Sequence, residues 1–97
     1  MEANMKIKIG GIDFTVVFVD KVDDDDSCGE SDVGQAVLKI RKGLNKQAED
    51  ETILHEIIHT INHDWSEERV VFTSQALFAL FRHNPHLRDI FFGTPPQ

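Results

Sequence analysis

Residues 45–62 read NKQAEDETILHEIIHTIN, and this stretch decides what the chain can fold into. Ala48, Leu54, Ile57, Ile58 and Ile61 fall at helical spacing, the pattern of a helix that covers a core with one face. Asn45 can cap it, because its side chain can accept from the free N–H groups of the first turn. Glu49, Asp50 and Glu51 suit the positive end of the helix dipole. The expectation is a helix over residues 46–62. After a short break at residues 63–65, Ser66 followed by Glu67, Glu68 and Arg69 opens a second helix. Its inner face is expected to carry Val70, Val71, Ser74, Leu77, Phe78 and Phe81, and Asn84-Pro85 ends it. Residues 86–92 are weakly amphipathic, with Phe91 and Phe92 expected as core cover, and residues 93–97 are expected to fray.

Toward the N-terminus the period changes from helix to strand. In residues 5–20, MKIKIGGIDFTVVFVD, Ile7 and Ile9 alternate with lysines, Gly10-Gly11 tolerates positive φ, and a β-branched run follows. This predicts a hairpin whose second strand, residues 12–19, is covered on both faces for part of its length. Residues 35–41, QAVLKIR, predict a third strand flanked by Gly34 and Gly43. Residues 20–33 carry seven acidic side chains and read as an exposed acidic loop. Its four consecutive aspartates lack the spaced oxygen ligands and closing Glu of a calcium loop. Cys28 within it reads as an exposed thiol, with a long-reach metal ligand as the alternative.

With 97 residues there is room for one domain, residues 1–97. The predicted fold class is α+β, a small antiparallel three-stranded sheet packed against the first helix and a second helix. A net charge of −7 argues against nucleic acid and anionic membrane as partners. The single cysteine permits no intramolecular disulfide, the first residues carry no signal-peptide apolar run, and no stretch is long enough to span a bilayer. A reducing cytoplasm is the expected compartment.

Chemistry concentrates at His55-Glu56-Ile57-Ile58-His59, an H-E-x-x-H placed on a helix. Residues four apart project from one face, so two imidazoles can converge on one Zn²⁺. Glu56, set round by ~100°, is placed to hold a water and take its proton, the role of a general base. Zinc brings the pKa of water from ~15.7 to about 7 and polarises a carbonyl, which makes hydrolysis feasible at neutral pH.

A catalytic zinc normally has three protein ligands and an open position. His63 continues the row, but its Cα would lie ~12 Å along the axis from that of His55, too far for three rings to share one ion. On a wheel of ~100° per residue, Glu67 falls with Val70, Ser74 and Phe78 on the inner face, and Glu68 falls with Gln75 and Arg82 toward water. Glu67 is the expected third ligand, with Glu68, Asp64 or a histidine of the tail as alternatives.

The I-x-I strand, the short loop, HEIIH in an Ile/Leu-rich helix and the S-E-E opening of the next helix together resemble small phage and prophage HExxH metallopeptidases of the ImmA/IrrE type. The likeness covers residues 10–87, with residues 54–60 its specific part. It implies zinc on His55 and His59, Glu56 as general base and a helix-borne glutamate as third ligand, the gluzincin arrangement. It further implies a phage-encoded protein acting in a host cytoplasm on a protein or peptide substrate. Where relatives often place a further glutamate one turn into the second helix, this chain has Val71. Such proteases also often present a Tyr or His to the developing oxyanion; this chain has no Tyr, and His63, His83, His86 and Arg88 stay open as candidates. Residues 35–41 are expected as an edge strand, guarded by Lys39 and Arg41, that could take extended substrate backbone. The alternative function is a non-catalytic phage regulatory module in which zinc is structural.

Overall fold

The glycine pair near the start sets the geometry of the sheet. β1 (Met5–Ile9) and β2 (Ile12–Val19) pair antiparallel with Ile9 opposite Ile12. Gly10 and Gly11 between them have φ of +59° and +83°, the double positive φ whose twist matches a two-residue hairpin. The computed structural model describes residues 5–22 and 27–93. Residues 23–26, the four consecutive aspartates, and most of the tail expected to fray lie outside the described residues.

The rest of the sheet departs from the expected three antiparallel strands. β3 (Gly29–Asp32) pairs antiparallel with β4 (Val37–Arg41), and β4 pairs parallel with β2, placing Leu38 beside Val16 and Ile40 beside Phe18. The result is a four-stranded mixed sheet of order β1-β2-β4-β3 within an α+β fold. Residues 29–32 are therefore strand, within what reads as an exposed acidic loop. Gly-Glu-Ser-Asp has no apolar side chain to signal a strand, and backbone pairing with β4 is what orders it. Gln35 and Ala36 belong to the preceding turn: the Gln35 N–H donates to Asp32 Oδ1 (3.1 Å) and the Ala36 N–H to the Val33 carbonyl (3.2 Å). β4 is consequently interior, with both backbone edges paired, so it cannot receive a substrate strand. Among the described residues the sheet edges are β1 and β3.

Side chains alternate across the sheet. Phe14, Val16, Leu38 and Ile40, each at most 1% exposed, form one face with Ile9, and Ile53 and Ile57 of α1 (Lys46–Ile61) pack on it. On the opposite face Val17 and Val19 stay half-buried rather than covered as expected. Cross-strand ion pairs, Lys8–Asp13 and Lys39–Glu30, stand there instead. Asn45 Oδ1 caps α1 by accepting from the Ala48 N–H at 2.8 Å, and Ser66 Oγ caps α2 (Glu67–His83) by accepting from Arg69 at 3.1 Å. Among the described residues α2 packs mainly on α1 and buries Val70 and Ser74. Phe81 of the expected inner face is 47% exposed, with no described element packed over it. Phe91 and Phe92 of α3 (Leu87–Phe92), expected as core cover, are 62% and 82% exposed. No described helix is long and apolar enough to cross a membrane.

Candidate metal centre

Helical geometry puts His55 and His59 on one side of α1, with ring centroids 4.8 Å apart. The turn after α1 is short, so the first residue of α2 is brought back over them. Glu67 Oε1 lies 2.9 Å from His55 Nε2, and Glu67 Oε2 lies 2.6 Å from His59 Nε2. The three ligand atoms lie within 4.8 Å of one another, and this cluster could hold a metal ion. The donor set fits one chemically, because two imidazole nitrogens and a carboxylate oxygen are the ligand types of divalent transition metals. Burial, reinforced by the neighbouring His59, lowers the pKa of His55 against the opposing pull of Glu67. The shift favours the neutral ring, the form that a metal requires.

Glu67 reaches this position from outside the core. Its side chain is 67% exposed, so the expected inner-face burial does not hold; it stands at the very end of α2, beyond the cover that Val70 and Ser74 receive. Glu68 and Asp64, the alternatives, are exposed and outside the cluster.

Glu56 has the reverse environment. It is 6% exposed, and its carboxylate has no hydrogen-bond partner among the described residues. Burial pushes its pKa up to about 7, with the charges of Glu67 and Glu30 acting in the same direction and His59 opposing. It lines, with the three cluster residues, a cleft of ≈750 Å³ between α1, α2 and β3. A carboxyl that gains or loses a proton near neutrality at the wall of an accessible cleft can serve as acid or base.

β3 is the wall that sequence reading missed. Gly29, Glu30 and Ser31 line the cleft, and Ser31 Oγ lies 2.7 Å from Thr60 Oγ1 of α1. Gly34 before a predicted strand is the signal that could have exposed it, since a tight turn entering one strand implies a partner strand leaving it. Cys28 is half-buried on the same cleft rather than exposed, and is outside the metal cluster. Gln75, placed toward water by the wheel, also borders the cleft. Of the oxyanion candidates, His63 lines the cleft, while His83, His86 and Arg88 are exposed elsewhere.

Comparison of the chain with protein-family models, with curated proteins and with solved structures finds no match in any of the three.

Proposed function

We propose that this chain is a minimal zinc-dependent peptidase of the HExxH kind, in which His55, His59 and Glu67 hold the ion and Glu56 handles the proton. The observation that carries this reading is a pairing of opposites. Three ligand atoms converge within 4.8 Å on the wall of a cleft, and beside them stands Glu56, a largely buried residue whose carboxylate has no hydrogen-bond partner among the described residues and opens onto the same cleft. Three protein ligands suit a catalytic zinc, which keeps a position open, better than a structural one, which is closed by four.

Zinc bound there supplies Lewis acidity, which favours ionisation of water near neutral pH and polarises the carbonyl under attack. Glu56 holds a water through its carboxylate oxygens and accepts a proton as the water oxygen attacks the peptide carbonyl. The same carboxyl then returns that proton to the departing amine nitrogen. One group thus performs both transfers, first as base and then as acid. Among the described residues β3 is an edge strand, and that edge would offer backbone N–H and C=O groups to an extended peptide.

Glu56→Gln tests the proposal against the regulatory alternative. The peptidase reading expects zinc content unchanged and peptide hydrolysis abolished. A variant that retains every function of the parent chain overturns it in favour of a zinc-stapled interaction module.

A further inference from the structure

α1 carries Glu49, Asp50 and Glu51 in succession, and the three have different surroundings. Glu49 stands in the first turn, where the helix dipole favours a negative charge. Asp50 pairs with Lys46 at 2.8 Å. Glu51 has neither advantage. It lies past the first turn, where the pull of the dipole has faded. It is half-buried, and it has no hydrogen-bond or ion-pair partner among the described residues. A charged side chain drawn partly out of water and left unpaired is unfavourable, and a cationic ligand would relieve it.

Glu51 also lines the metal cleft. It stands one turn before His55, and His59 follows one turn later, all three on the same wall. Its Cα is ~6 Å along the axis from that of His55, and ~12 Å from that of His59, too far for it to share their ion; it is accordingly outside the cluster. Four glutamates border the cleft, and no Lys or Arg does among the described residues. Three of the four have other work. Glu67 meets the two imidazoles, Glu56 stands ready to take the proton, and together their charges balance those of a zinc ion. Glu30 borders the cleft from β3 but pairs with Lys39 at 3.7 Å. Glu51 is the carboxylate left over, aligned with the metal cluster and facing the same space.

We propose that Glu51 is a specificity-determining residue, which binds an Arg or Lys side chain of the peptide whose carbonyl lies at the metal centre. A strand advances ~3.3 Å per residue, so the cation belongs about one to three residues from the bond that is cut. The substrate class is then an extended basic segment. Arg is the better partner, because its planar fork matches a carboxylate and sheds water more readily than an ammonium. This inference rests on the peptidase reading. Its occupant is argued from charge, since the cleft holds one uncompensated carboxylate and no basic side chain other than histidine.

The test uses the intact, zinc-loaded protein and dodecapeptides of Ala, Gly, Ser and Thr through which a single Arg is walked. A matched set carries citrulline, the neutral isostere of Arg. Cut bonds are read by mass spectrometry at low and high salt. Cleavage is expected at a fixed offset from Arg, with kcat/KM at least about tenfold above the citrulline set, an advantage that shrinks in high salt. Glu51→Gln removes the advantage through KM, and Glu51→Lys transfers it to peptides with Asp in place of Arg. Glu49→Gln, in the first turn of α1 and not lining the cleft, keeps it. Equal cleavage of the two sets by the parent chain overturns the inference and leaves the peptidase reading standing. If neither set is cut, the peptidase reading falls, and binding decides the inference through NMR titration at the Thr52 and His55 amides. Affinity for the Arg peptide at least about tenfold above that for its citrulline counterpart, and lost in Glu51→Gln, upholds a cation site in the cleft. Equal affinity, or no binding, overturns it.

Discussion

Gly29 of β3 passes so close to Glu56 of α1 that a Cβ built on it would stand 3.2 Å from Glu56 Cγ. The edge strand and the helix carrying the buried carboxylate are thus in direct contact. The same Cβ would meet Thr52 Cγ2 at 2.7 Å and the Lys39 carbonyl at 3.2 Å, so it would be crowded from three directions.

Gly29→Ala is therefore expected to destabilise the fold by about 1–3 kcal/mol, the usual cost of overpacking. Thr52 cannot turn aside freely, because its hydroxyl donates to the Ala48 carbonyl at 2.7 Å, and Lys39 opposes with backbone. Urea denaturation measures the loss. An unchanged midpoint would show that β3 does not press on α1.

Glu56 gives the metal-free protein a pH-dependent stability of defined sign. Its carboxyl titrates from about 4.5 when unfolded to about 7 when folded, so between these values the folded state holds a proton that the unfolded state has lost. Its contribution therefore declines as pH rises through that window, by about 3 kcal/mol in all. His55, with its lowered pKa, acts oppositely, destabilising as pH falls through the imidazole range. Subtracting the profile of Glu56→Gln from that of the parent, both with chelator, isolates the carboxyl. The difference should grow from pH 5 to pH 8 in favour of the variant, and a flat difference would contradict the burial of Glu56.

The choice of third ligand is measurable by metal content. Removing groups that only support metal ligands already costs ~10–100-fold in affinity, so losing a direct ligand in Glu67→Ala should cost about 100-fold or more. Glu68→Ala, one residue on and outside the cluster, should leave zinc affinity within about twofold of the parent. Equal losses in both variants would assign the effect to the charge of the helix start instead of to coordination.

Chelation should lower the melting temperature. An ion held at 100 times its Kd adds about 2.7 kcal/mol, and in a domain of this size each kcal/mol shifts Tm by about 4–8 °C. The expected drop is thus about 10–20 °C, reversed on adding zinc and absent in a His55→Ala, His59→Ala double variant. Calorimetry with and without chelator checks it, and identical Tm values would remove the metal from the account.

Much of the helical layer is legible in residues 45–83 because its determinants are local. Asn45 and Ser66 cap the helices they were expected to cap, and the 46–62 expectation differs from the observed Lys46–Ile61 by one residue. The His55–His59 row needs only the i, i+4 geometry of a helix. The sheet was read less well. The parallel register of β2 with β4 joins residues more than twenty apart, and β3 is held by backbone bonds that leave no hydrophobic trace. Likewise Phe91 and Phe92 are apolar, yet whether apolar residues are covered depends on there being a layer to cover them.

The sequence by itself determined the α+β class, the two capped helices and the presence of two imidazoles and a carboxylate on one helical turn, since each depends on spacing along a few residues. Only the tertiary structure decided that β4 is interior and that β3 is an edge strand among the described residues, and that Glu67 rather than Glu68 or Asp64 meets both imidazoles. It also decided that the Glu56 carboxylate, not Glu67, is the buried one. Those outcomes depend on how α2 crosses α1 and on which backbone edge pairs with which, and contacts between distant segments are not encoded in any local period.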